Sequence, residues 1–423
     1  MKKTIIFSLI IICFSFNSYY PIDGYELTGI RRLAYLERVK SGDVKNLKLP
    51  EGALRPLDSI KLRLANPLMN DFDSLPPVDP VLQDEVDGLF RGLNKNYSLT
   101  ILDMSDNKPV RFAKHRESVG YQPGSVGKLV VLASFFTQLA KIYPDDFEAR
   151  RALLKTKMIK AGPWALSDHH TVPFYDLETE KYTKRTVRAS DVFSLYEWLD
   201  NMVSVSNNGA ASVVWREAFL MCIFGKDYPA LTYEEGEEYF KSVPRSDLSE
   251  MAINMVNNPL RELGISEDEW RLGKFFTTGA GNYIPGMGGS IGTPIGLIKF
   301  VIALEKGEIV DKESSLEMKR ILYLTDRRIR YAASTRLDKA AVFFKSGSFY
   351  SCRGQEESED GCGKYAGTVF NYMNSVAIVE HPDGTRYAVC LMSNVLGKNS
   401  AWDHLTLATR IDRLMHTEDK ETE

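Results

Sequence analysis

The segment 129–139, LVVLASFFTQL, has no polar face, and a helix that is apolar all round is stable only inside a protein. The chain must therefore fold around it. Just before it stands Ser125-Val126-Gly127-Lys128, and residues three apart share one helix face, so this start brings a hydroxyl and an amine together. Pro123-Gly124 marks the helix start, which puts Ser125 at the positive end of the helix dipole. Burial disfavours a charged Lys128 and leaves an amine able to take the Ser125 proton. The pair reads as a nucleophile beside its base.

The S-x-x-K pattern alone is weak, because a chain of this length holds roughly two by chance. A second copy, Ser105-Asp106-Asn107-Lys108, lies between the apolar runs 97–104 and 109–113 and reads as a hairpin turn. A phosphate-binding loop at 124–128 is excluded. No glycine stands five residues before Gly127, and Leu129 occupies the place of the magnesium-binding hydroxyl.

With 423 residues the chain has material for one large domain or two. Its net charge of −3 gives no basic footprint, so nucleic acid is not an expected partner. Lys2 and Lys3 precede the apolar stretch 5–16, the pattern of an export leader. Residues 1–19 are therefore expected to be a signal peptide or an N-terminal anchor, and the protein periplasmic or secreted. Asn17, Ser18 and Tyr19 form no clean cleavage pattern. An uncleaved leader would associate with the membrane, although its apolar stretch is short for a span. Cys13 follows the bulky Ile12, which argues against lipidation there. Beyond the leader, Cys352 and Cys362 flank an acidic loop that a disulfide would close. Cys222 and Cys390 sit in apolar contexts and read as buried thiols. No paired C-x-x-C exists, and Asp168-His169-His170 lacks a further ligand and reads as a loop. Neither metal nor cofactor is expected.

Residues 20–80 read as an N-terminal extension ending in the linker Pro76-Pro77-Val78-Asp79-Pro80, with the main domain over 81–418. That domain opens with a helix over 81–93 and a strand over 97–104. A mostly helical middle runs from 134 to 321, interrupted by a polar stretch at 161–188. Strands return at 340–349, 368–380 and 386–393, with a turn at His381-Pro382-Asp383-Gly384, and a helix closes the chain over 400–415. The order implies an α/β chain of the α+β type, with an antiparallel five-stranded sheet flanked by helices and a mostly helical subdomain.

Two further motifs follow Ser125 in order: Ser206-Asn207-Asn208, and Lys345-Ser346-Gly347 followed by Ser348. An S-x-N triplet arises about once or twice by chance and K-[ST]-G in about one such chain in four. Each alone also reads as a helix cap or a strand end. Together, in this order, they resemble the class A β-lactamase and penicillin-binding protein superfamily over residues 80–418.

The resemblance implies roles. Ser125 would attack an amide carbonyl with Lys128 taking its proton, and Ser206 would relay a proton to the leaving nitrogen. Asn208 would bind a substrate amide and orient Lys128. Lys345 and Ser346 would hold a substrate carboxylate, and Gly347 would let substrate approach the strand edge. The backbone N–H groups of Ser125 and Ser348 would form the oxyanion hole.

The chain also departs from the family pattern. Class A enzymes use a loop glutamate to activate the deacylating water. Here the stretch 275–292, before the helix starting at Thr293-Pro294, holds no acidic residue, and Glu267 and Glu269 are the nearest upstream. Insertions near 161–188 and 222–270 are expected to reshape the cleft. Tyr372-Met373-Asn374 has the Tyr-x-Asn form of other superfamily branches but follows Lys345. The expected function is an exported serine hydrolase of the class A type, cleaving a β-lactam or related amide through an acyl-enzyme. The alternatives are a D,D-peptidase or transpeptidase acting on peptidoglycan stem peptides, and a non-catalytic binding protein.

Overall fold

The structure is a computed structural model describing residues 24–45, 49–55, 59–323, 328–353 and 362–416. The leader and the acidic loop at 356–360 lie outside the described residues. The elements that frame the site are, in chain order, α1 (Arg31–Ser41), α2 (Pro80–Phe90), β1 (Tyr97–Asp103), β2 (Arg111–His115) and α3 (Lys128–Ile142). They continue with α4 (Leu195–Val203), α5 (Asn208–Phe224), α6 (Arg245–Glu262), α7 (Pro294–Lys306) and α8 (Lys312–Tyr323). The chain closes with β3 (Ala341–Ser351), β4 (Phe370–Glu380), β5 (Arg386–Asn394) and α9 (Ser400–Met415).

The five strands form one antiparallel sheet in the order β2-β1-β5-β4-β3, with β3 at the edge. The second S-x-x-K copy is the β1–β2 turn, where Asn107 takes a φ of 61°. Alternate residues of β1 and β5 enter two different cores, as a strand's period of two requires. Leu99, Ile101, Val389 and Leu391 pack with Leu82 and Val86 of α2 and Ile411 of α9. Leu102, Ala388, Cys390 and Met392 face the larger core that contains α3. A sheet covered on both faces explains why its central strands are almost entirely buried.

Helix α3 packs against α5 and α6 in the larger core, with Leu129 to Phe136 all buried. Ser125 is not in the α-helix itself. Gly124–Gly127 form a 3₁₀ turn ahead of it, and since residues i and i+3 eclipse in a 3₁₀ turn, the Ser125–Lys128 relation survives the change.

The segment read as an extension and linker is folded onto the body. Arg32 of α1 donates to both carboxylate oxygens of Asp200 on α4, at 2.5 and 2.6 Å, with both side chains buried. Ile30 and Leu33 join the larger core. Further along, Arg63 donates to Glu380 at the end of β4 (2.8 Å), and Lys319 of α8 lies 2.6 Å from Glu305 and 2.8 Å from Glu380. Cys352 and Cys362 are bridged, with Cα atoms 5.7 Å apart. Cys390 is buried, but Cys222 is exposed: it falls in the last turn of α5, where the apolar run has already reached the surface.

Burial alone would raise the Glu380 carboxyl, but Lys319 and Arg63 hold it down to about 2. The carboxylate therefore stabilises the fold fully above its ordinary 4.5, and that contribution fades as pH falls towards 2. Replacing Glu380 by Gln leaves buried cations short of a partner and should cost about 3–5 kcal/mol. Chemical denaturation at neutral pH checks this, and the gap between variant and wild type should narrow in acid.

Candidate active site

Ser125, Lys128, Ser206, Asn208, Lys345, Ser346 and Ser348 converge on one cleft of about 400 Å³ between the α3 turn, the start of α5 and edge strand β3. Lys128 is fully buried beneath it. Its Nζ donates to Ser125 Oγ (3.0 Å), to the Ser206 carbonyl (2.6 Å) and to Asn208 Oδ1 (2.7 Å), with Ser206 Oγ at 3.3 Å. Phe276 covers the amine, its ring centroid 5.3 Å away. Burial pushes the Lys128 amine down to about 7, against the pull of the Asp168 charge. The free-base form that can accept the Ser125 proton is thereby brought within reach near neutrality.

The Ser206 carbonyl reaches Lys128 because Ser206 adopts a φ of 61°, a left-handed conformation that serine rarely takes. The residues around it hold the turn in place. Asn207 caps α5 by accepting from Ala210 N, and its own N–H is bound by the Asn201 carbonyl. Ser206-Asn207-Asn208 thus caps α5 through Asn207 and faces the cleft through Ser206 and Asn208. Ser206 Oγ also accepts from Lys345 Nζ (2.7 Å), so one hydroxyl stands between two amines. Burial, and then the charges of Lys128 and Arg330, hold the Lys345 amine well below its ordinary range.

Asn208 has both ends of its amide engaged, which differs from a role in substrate binding alone. Oδ1 holds Lys128 while Nδ2 donates to Asp168 (3.3 Å). Asp168 also accepts from the backbone N–H groups of Asn208 (2.6 Å) and Gly209 (3.2 Å), and His170 Nδ1 lies 2.6 Å from it. Burial would raise the Asp168 carboxyl, yet its contacts with His170 and the nearby Lys128 hold it down to about 2. The run Asp168-His169-His170 is a loop, but one that buttresses the site.

Gly347 serves a different contact from the one expected. It is absent from the cleft lining, and a Cβ there would lie 2.4 Å from the Pro123 carbonyl oxygen and 2.7 Å from Ser125 N. The glycine lets β3 lie against the turn that carries Ser125. On the facing strand β4, Asn374 pairs with Gly347 and donates to the Gln122 carbonyl (2.9 Å), tying the same turn to the sheet.

Arg330 carries no motif in sequence. Its guanidinium donates to Ser346 Oγ and Ser348 Oγ, both at 2.9 Å, and lies 4.8 Å from the Tyr365 ring. Its guanidinium makes the β3 wall cationic, suited to a carboxylate, with the Lys345 amine beside it as a further donor. Of the two stretches expected to reshape the cleft, 161–188 contributes His170, whereas no residue of 222–270 lines it. That second stretch folds into helices, among them α6, which packs behind α3. Glu269 is bound to Lys299 (2.6 Å), and neither it nor Glu267 lines the cleft. Among the described residues no Asp or Glu does.

A profile of the β-lactamase enzyme family matches residues 81–406. The chain belongs to that family. No curated protein sequence matches it. Among solved structures it is similar to the TLA-3 extended-spectrum β-lactamase, with 13% identity and a TM-score of 0.51 over 79% of this chain and 98% of that one. A β-lactamase from Chitinophaga pinensis gives 15% identity and a TM-score of 0.50, covering 80% and 99%. A PBP-A mutant, captured as its acyl-enzyme with penicillin G, gives 14% and 0.50, covering 82% and 100%. At these identities the likeness is one of fold: a five-stranded antiparallel sheet with helices on both faces, shared by β-lactamases and penicillin-binding relatives.

Gly347→Ala should force a methyl against the turn that carries Ser125 and cost about 1–3 kcal/mol of stability, as overpacking does. Chemical denaturation of the variant beside wild type checks it.

Proposed function

We propose that this β-lactamase-family protein is an exported serine hydrolase that transfers the acyl group of a β-lactam or a related cell-wall amide onto Ser125 Oγ. The observation that carries the reading is the buried Lys128 amine 3.0 Å from that hydroxyl, with burial pushing it down to about 7. In the acylation step Lys128 takes the Ser125 proton while Oγ bonds to the amide carbonyl carbon. The backbone N–H groups of Ser125 and Ser348 stabilise the developing oxyanion. The C–N bond then breaks, and the leaving nitrogen receives a proton through Ser206 Oγ, which bridges Lys128 and Lys345. Lys345, Ser346 and Arg330 hold the substrate carboxylate. The leader at 1–19 supports export to the compartment where cell-wall amides occur.

Release of the ester is a separate matter. With no carboxylate lining the described cleft, no side chain matches the base that class A enzymes use on water. This favours the penicillin-binding reading, in which the acyl-enzyme persists, over fast β-lactam turnover.

Intact mass spectrometry after incubation with benzylpenicillin tests the proposal. A single adduct on Ser125 is expected, lost in Ser125→Ala and formed about 10²–10⁴-fold more slowly in Lys128→Ala. It should outlast removal of free penicillin. Rapid turnover without accumulation would restore the β-lactamase reading, and neither adduct nor turnover would overturn acyl transfer to β-lactams.

A further inference from the structure

The cleft's charges are one-sided, and the acyl-transfer step does not use all of them. Its lining includes Lys274, Arg330 and Lys345, with Lys128 buried beneath, but, among the described residues, no acidic side chain, in a chain whose net charge is −3. Three of these four basic side chains are engaged. Lys128 is caged by Ser125, Ser206 and Asn208, Lys345 binds Ser206 Oγ and the Ser346 carbonyl, and Arg330 spans Ser346 and Ser348. The nearest acid, Asp168, is buried and already accepts from Asn208 and Gly209.

Lys274 is different. It is exposed and belongs to the same lining segment as Leu272, Phe275 and Phe276. That segment is fixed against the nucleophile: a Cβ on Gly127 would lie 2.6 Å from Leu272 Cδ2, and Phe276 covers Lys128. Lys345 and Arg330 meet at Ser346 and Ser206 and are taken up by the leaving-side carboxylate in the proposed step, which leaves Lys274 for the other half, the acyl group.

We infer that the protein selects substrates whose acyl half carries a second anionic group on an apolar body, the apolar part against Leu272, Phe275 and Phe276 and the anion at Lys274. The substrate class is a dicarboxylate amide, such as a peptide with an acidic side chain on the acyl side of the scissile bond. An acyl half bearing an ammonium is disfavoured, since the described cleft has no acid to receive it and a cation to repel it. This inference rests on acylation of Ser125 as proposed above.

Three penicillins that differ only at the α-carbon of the phenylacetyl side chain test it: carbenicillin with a carboxylate, benzylpenicillin with hydrogen, and ampicillin with an ammonium. Their second-order acylation rates would be measured on the full chain at low ionic strength. The expected order is carbenicillin, benzylpenicillin, ampicillin, with about tenfold between the first and last. That ratio should shrink towards one in about 1 M salt, where screening acts within about 3 Å, fall in Lys274→Ala and invert in Lys274→Glu. The ratio is internal to each variant, and unchanged melting temperatures confirm that both fold. Rates that ignore the α-substituent, or a ratio unmoved by Lys274→Glu, overturn the inference while leaving Ser125 acylation standing. Absence of an adduct with all three overturns both.

Discussion

An amine with no exposure to water organises this molecule. Taking the Lys128 ammonium out of solvent costs free energy, and the fall to about 7 corresponds to a penalty on the charged form, relative to a lysine in water, on the order of 5 kcal/mol. The cost is limited because the Ser206 carbonyl and Asn208 Oδ1 accept its hydrogen bonds, and it is useful because the neutral form is a base. The amine also sits near the N-termini of α3 and α5, where helix dipoles further disfavour positive charge. The left-handed Ser206, the Asn207 cap and the Asp168 buttress all hold the acceptors around that one nitrogen.

That arrangement reaches back to the N-terminal segment. Asp200, held by Arg32, is one turn from the end of α4, and its carbonyl accepts from Ser204 N just before the Ser206 turn. The same economy holds at β4, where Arg55, Arg63 and Lys319 converge on Glu380. Buried ion pairs of this kind are a poor source of net stability but are costly to break one partner at a time. They fix the placement of segments far apart in sequence, and here they fasten Arg32, Arg55 and Arg63 to helices and strands of the main body.

Much of this was legible in the residue order. The polar-free stretch after Lys128 announced the central helix, and the late strands and closing helix followed from period-two and helical patterning within a few residues of their ends. The three motifs located seven of the cleft's polar residues because each motif is local in sequence. Arg330 was not legible, since it reaches Ser346 and Ser348 from the start of a short 3₁₀ turn, Arg330–Ala333, whose residues match no motif. Asp168 was visible as a polar run, but its link to Asn208 depends on a contact across 40 residues. The docking of the segments that carry Arg32 and Arg63 was hidden for the same reason: charges paired across more than 150 positions look, in sequence, like an ordinary solvated segment. Gly347 shows the opposite case. The motif identified the residue correctly, and only the neighbouring backbone revealed which contact its missing side chain permits.

The account stands on the protonation state of one nitrogen. NMR titration of lysine labelled at Cε, with a Lys128→Arg variant to assign the signal, measures it without reference to any substrate. A midpoint near 7 is the result predicted for the folded protein. A midpoint near the ordinary lysine value of 10.5 would mean that Lys128 remains an ammonium at neutral pH, and it would remove the base from beside Ser125.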